Sequence, residues 1–172
     1  VGQPNANGIC RENEHGQTGR VRPSNRTQGL SEGWRKLGAQ VTFAAAAGAF
    51  WEPMATECSA PVHLFHVHGF KDRMVLFEGR QLTWEGVDFH QGNVMKGVDV
   101  WRRENACLGS AENSIADDNS MQKDWRNCSA GSIRLKVTKG GHGVPEGWRN
   151  AVLDWFEALP RALDCPQSLR LF

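Results

Sequence analysis

The sequence predicts an α/β fold, a mostly parallel sheet with flanking helices, and three observations carry that expectation. Residues 61–79, PVHLFHVHGFKDRMVLFEG, open as an apolar run of strand composition, Val62, Leu64, Phe65 and Val67, which stops at Gly69. A short loop bearing Asp72 follows, and then Met74, Val75, Leu76 and Phe77. Residues 132–139 alternate Ile133, Leu135 and Val137 against Arg134, Lys136 and Lys139, the pattern of a half-buried strand. This second run leads straight into Gly140-Gly141-His142-Gly143. Beyond it Val152, Leu153, Trp155, Phe156 and Leu159 form a helical stripe with Pro160 at its end.

Each strand thus ends in glycine and delivers one ionisable side chain. In α/β proteins, ligands and catalytic groups collect where loops leave the carboxyl ends of parallel strands. Asp72 three residues past such an end is placed to act on something, although Asp is also common in turns for local reasons. Glycines permit close backbone approach, so His142 in its turn can project into a cleft. An Asp loop followed by a His loop, each after a strand, is the back half of an α/β-hydrolase. In that fold the triad runs Ser, then Asp or Glu, then His.

The chain also resembles a particular group. His68-Gly69-Phe70-Lys71-Asp72-Arg73-Met74-Val75 is similar to the H-G-x-x-D-x-x-V segment of the polyhydroxybutyrate depolymerase and feruloyl esterase group of secreted serine esterases. The resemblance implies that Asp72 is the triad acid. Gly140-Gly141-His142 resembles the group's G-G-H segment, implying His142 as the base. Trp101 with Cys107, then Trp125 with Cys128, resembles its cysteine-bearing segment, and the likeness covers residues 43–159. Leu76 stands where the group usually has Pro, and Gly143 where Thr or Ser is frequent.

At 172 residues the chain is about one domain long, yet short for the roughly eight strands that the resemblance implies. A formal net charge of +1 gives no pull toward nucleic acid or an anionic membrane. No apolar run approaches the roughly 18 residues of a spanning helix, and no signal peptide is visible. Among five cysteines, Cys10, Cys58, Cys107, Cys128 and Cys165, there is no CxxC pair, which argues against zinc-ribbon chemistry. Cys107 and Cys128, enclosing a polar stretch, are the best disulfide candidates. A bridge there implies an oxidising compartment, periplasmic or secreted.

Residues 1–28 are dominated by Gly, Asn, Gln, Arg and Glu, and such a segment buries too little surface to order itself. At Gly29-Leu30-Ser31-Glu32-Gly33 the chain nevertheless spells G-x-S-x-G, the nucleophile-elbow pattern. Upstream, Pro23 and several charges stand where a buried strand is needed. Downstream, residues 34–41 hold barely two helical turns before the small-residue strand at 43–50. Ser31 is therefore the nucleophile the motif points to, in surroundings that predict a poorly held elbow.

Residues 51–60 and 80–92 read as loops, 93–105 as a helix despite Gly97, and 109–119 as a surface excursion. His66 and His68 share a face of their strand, so a metal-dependent hydrolase using that pair with Asp72 is chemically conceivable. The plainer reading makes them hydrogen-bonded strand residues, with His68 orienting the Asp loop. Trp148, beside the His loop, reads as core packing rather than an acyl contact.

The expected protein is a partial or shortened α/β-hydrolase. Residues 1–42 form a poorly structured N-terminal segment, 43–163 the C-terminal half of the domain, and 164–172 a tail. The implied activity is ester hydrolysis through an acyl-enzyme, with Ser31, Asp72 and His142 and without metal or cofactor. By resemblance the substrates are hydroxyalkanoate or feruloyl esters. The competing readings are an inactive hydrolase remnant and the metal hydrolase.

Overall fold

A computed structural model describes residues 10–11, 41–55, 57–58 and 61–159. In chain order the first strands are β1 (Cys10–Arg11), β2 (Val41–Ala46), β3 (Phe50–Trp51), β4 (Glu57–Cys58) and β5 (Val62–Gly69). Then come β6 (Arg80–Trp84), β7 (Val87–Gly92) and helix α1 (Val94–Glu104). β8 (Glu112–Ile115), β9 (Met121–Trp125), β10 (Ile133–Thr138) and helix α2 (Trp148–Glu157) complete the described chain.

β5 is the centre, with all eight of its residues buried. β2 pairs with one edge of it in parallel, Val41 opposite Val62 and Ala46 opposite Val67. β10 pairs in parallel with the other, Ile133 opposite Leu64 and Val137 opposite His68. The two strands that deliver Asp72 and His142 are therefore adjacent and end at the same edge of the sheet.

Side chains alternate across a strand, so β5 offers Leu64 to one face and Phe65 to the other. Val94, Val98 and Trp101 of α1 pack with Leu64, Ile133 and Leu135 on the first face. On the second, Trp148 and Trp155 of α2 meet the Phe65 ring at centroid distances of 4.8 and 5.4 Å. Trp148 is half-buried and packs its ring edge on Phe65. Each apolar side chain buried this way contributes roughly 1.5–3 kcal/mol.

The helix at 93–105 forms as expected. Asn93 caps α1 by accepting from the Lys96 N–H at 3.0 Å, a contact worth about 1 kcal/mol. Gly97 costs a helix about 1 kcal/mol relative to Ala, but the Phe50 ring fills the space a Cβ would need. At the far end, buried Asn105 accepts from the Val62 N–H at 3.0 Å and donates to the Val62 carbonyl at 2.7 Å. One side chain thus ties the end of α1 to the start of β5.

The expected mostly parallel α/β-hydrolase sheet with flanking helices does not form. The main sheet has the order β2-β5-β10-β9-β8 and is mixed, because β9 runs antiparallel to β10 and β8 antiparallel to β9. A separate antiparallel sheet has the order β3-β7-β6. Among the described residues there are ten strands and two helices. A parallel neighbour needs a crossover of a dozen or more residues, usually a helix, whereas a hairpin needs only a tight turn. Residues 80–92 make such a hairpin. Glu85 and Gly86 both have positive φ, 49° and 76°, the two-residue turn whose twist suits flanking strands. Residues 112–125 make a second hairpin in place of the expected surface excursion, with Asn119 at φ 58° in its turn.

Cys107 and Cys128 are disulfide-bonded across an isolated antiparallel bridge, at the base of the second hairpin. β1 and β4 pair so that Cys10 lies opposite Cys58 in backbone register. Cys165 lies outside the described residues. No described helix is long and apolar enough to cross a membrane.

Candidate active site

Asp72 sits in a turn that its own side chain organises. Its Oδ1 accepts from the Met74 N–H at 2.8 Å and the Val75 N–H at 2.9 Å. The Asp72 N–H returns to the Gly69 carbonyl at 3.0 Å. This Asx turn satisfies three backbone donors within one short loop. The Met74 carbonyl is held in turn by Arg80 at 2.8 Å and Gln91 at 3.1 Å. The small antiparallel sheet therefore braces the acidic loop.

The two loops are joined by backbone. Phe70 donates to the Thr138 carbonyl at 2.8 Å and Lys71 to the Gly140 carbonyl at 2.9 Å. Gly69 makes the approach possible, because a Cβ there would stand only 2.6 Å from the Gly140 carbonyl oxygen. The last glycine of β5 and the glycines after β10 form one contact.

Across that contact His142 Nδ1 lies 2.9 Å from Asp72 Oδ2, 70 positions away in the chain. The Asp72 side chain is fully buried, while that of His142 is 44% exposed. Burial alone pushes the Asp72 carboxyl up. The Val75 N–H, His142 and the Met74 N–H outweigh it and hold the group below the ordinary carboxylate range. An ionised carboxylate only accepts, so a neutral His142 ring carries its proton on Nδ1 and presents Nε2 as an acceptor. Nε2 has no hydrogen-bond partner among the described residues. A buried carboxylate, an oriented imidazole and a free basic nitrogen at the surface can together take a proton from a nucleophile.

His66 and His68 lie beneath this pair, their rings stacked with centroids 5.6 Å apart. His66 Nε2 is 3.3 Å from His68 Nδ1, and His68 Nε2 is 2.8 Å from the Val75 carbonyl. His68 therefore has both ring nitrogens engaged. No group of three or more His, Cys, Asp or Glu able to hold a metal is found among the described residues. Burial, and then His68, push His66 down to about 3. His66 and His68 are thus strand residues with hydrogen-bonded rings, His68 bonding the Val75 carbonyl of the Asp loop.

Ser31 and its Gly29-to-Gly33 motif lie outside the described residues, as does nearly all of 1–42. Sequence reasoning overlooked Arg80 and Gln91 because residues 80–92 read as loop. The Glu-Gly dipeptide between two alternating runs was the signal for that hairpin. Neither a comparison with protein-family models nor one with characterised proteins gives any match to this chain.

Proposed function

We propose that this chain is an ester hydrolase of the serine type, in which Asp72 and His142 are the acid and base. The hydrogen bond between a buried Asp72 and an exposed His142 carries the reading. In the reaction, His142 Nε2 removes the hydroxyl proton as the nucleophile attacks the ester carbonyl, then returns it to the departing alkoxide. Water then attacks the acyl-enzyme carbonyl, giving its proton to Nε2, and Nε2 passes that proton to the serine oxygen as the acyl–oxygen bond breaks and the carboxylic acid leaves. Asp72 stays ionised throughout and stabilises the imidazolium. The sequence motif assigns the nucleophile to Ser31.

Phe70, Met74 and Val144 lie on the same two loops and are 68%, 61% and 70% exposed. That apolar rim supports an apolar acyl or aryl ester, consistent with the hydroxyalkanoate or feruloyl classes that the motif resemblance implies. The disulfide between Cys107 and Cys128 supports an oxidising location, periplasmic or outside the cell.

Hydrolysis of p-nitrophenyl butyrate, with and without a chelator, tests the proposal. Turnover that is insensitive to chelation and lost in His142→Ala supports it. Equal turnover in His142→Ala contradicts it. Turnover abolished by the chelator favours a metal hydrolase instead.

A further inference from the structure

The catalytic pair rests on a second layer of histidines. The Val75 carbonyl can only accept, so the 2.8 Å contact places a proton on His68 Nε2. The same nitrogen stands 3.8 Å from Asp72 Oδ2, the oxygen that receives His142, and both side chains are fully buried. Val75 is consequently gripped at both of its polar groups, its N–H by Asp72 at 2.9 Å and its carbonyl by His68 at 2.8 Å.

The contact between His66 Nε2 and His68 Nδ1 at 3.3 Å needs one proton, and two assignments supply it. If His66 donates, its own Nδ1 is left as a bare buried acceptor. If His68 donates, it carries a second proton, and the neutral His66 must carry its proton on the opposite, buried nitrogen. His66 Nδ1 has no partner in either case. Buried orphan donors are rarer than under-satisfied acceptors, which favours donation from His66. The chain of protons then runs one way, His66 Nε2–H to His68 Nδ1, and His68 Nε2–H to Val75 with its positive edge toward Asp72.

We infer that His68 is a positioning residue for Asp72, and that His66 acts behind it by fixing the His68 proton on Nε2. The inference rests on the reading of Asp72 and His142 as the acid–base pair. His68 touches no substrate. It holds the Val75 carbonyl, and hence the Asx turn, in the register that aims Oδ2 at His142.

Nitrogen-15 NMR of the histidine rings in the unmodified protein is the first test. A single proton on Nε2 of both His66 and His68 is expected near neutral pH, and a proton on His68 Nδ1 would overturn the inference. The second readout is the downfield proton resonance of His142 Nδ1–H bonded to Asp72. It is expected in the wild type and in His68→Gln, whose amide still donates to Val75. It should be lost in a folded His68→Phe. Its persistence in that variant overturns the inference. Should His68→Phe not fold, His66→Phe decides, with the single His68 tautomer expected to become a mixture and the His142 signal to weaken. An unchanged tautomer and signal there would also overturn it. A wild type with the stated tautomers but no His142 resonance would overturn both the acid–base pair and the positioning role, whereas absent turnover with that resonance intact faults only the esterase reading.

Discussion

Gly69 ends β5 and Gly140 lies in the loop after β10, yet a Cβ on the first would stand 2.6 Å from the carbonyl oxygen of the second. The two loops that carry Asp72 and His142 meet backbone to backbone at that point. Gly69→Ala should therefore act on the site rather than on the local strand. Forcing the loops apart is expected to destabilise the fold by about 1–3 kcal/mol. A displacement of about 1 Å between acid and base should lower ester turnover on the order of 100-fold. Urea unfolding and p-nitrophenyl ester kinetics measure the two effects separately. Unchanged kinetics would show that the glycine contact does not set the geometry.

Acid stability follows from groups shifted down in the fold. For His66, at about 3 in the folded protein, the unfolded chain binds its proton first, near pH 6.5. Stability is therefore whole above about pH 6.5 and declines as pH falls toward 3, with the limit reached below that value. Burial lowers His63 as well, which adds to the same limb. Asp72 adds a later loss, beginning near pH 4 and running through its lower folded value. His66→Phe should flatten the part of the stability curve between pH 6.5 and 3. Equilibrium urea unfolding at a series of pH values measures the slope, and an identical slope in the variant would contradict the assignment.

The bridge between Cys107 and Cys128 closes a sequence separation of 21 residues at the base of the β8–β9 hairpin. Removing it by the paired substitution Cys107→Ser and Cys128→Ser should cost about 3 kcal/mol by loop-closure entropy. β8 and β9 form the outer edge of the main sheet, with β9 paired to β10 and β8 paired to β9. Amide exchange should accordingly rise first in residues 112–125. Equal protection in the reduced and oxidised protein would contradict this.

Much of the centre was legible in the residues. β5 reads as an apolar run ending in glycine, β10 as strict alternation, and α1 and α2 as apolar stripes at helical spacing. The meeting of Asp72 with His142 followed from two adjacent parallel strands ending at one edge. The sheet as a whole was not legible, for physical reasons. β8 is exposed at all four positions, so it lacks the hydrophobic alternation of a half-buried strand. β6 and β7 expose Trp84, Val87 and Phe89, so their apolar residues do not signal a core. In both hairpins the turn, Glu85-Gly86 or the residues around Asn119, carried the information that the strands did not. His68 was read as a strand residue that orients the Asp loop, but its grip on Val75 depends on a turn that no spacing rule specifies.

The Asp72 carboxylate can be tested apart from its shape. Asp72→Asn keeps the volume but presents an amide where Oδ2 accepts from His142 Nδ1–H. Reversal of the His142 tautomer should slow ester turnover by up to about 10⁴. Thermal unfolding should move far less than the rate does. A rate within a few-fold of the wild type would remove Asp72 from the mechanism.

The central claim is that His142, held by Asp72, is the base of an ester hydrolase. Single-turnover hydrolysis of p-nitrophenyl butyrate at pH 7.5 by the wild type, His142→Ala and Ser31→Ala tests it most directly. The account predicts release of p-nitrophenol by the wild type, with His142→Ala at least about 100-fold slower, the usual lower bound for losing a general base, and Ser31→Ala slowed likewise. A His142→Ala protein that releases p-nitrophenol at the wild-type rate would contradict it.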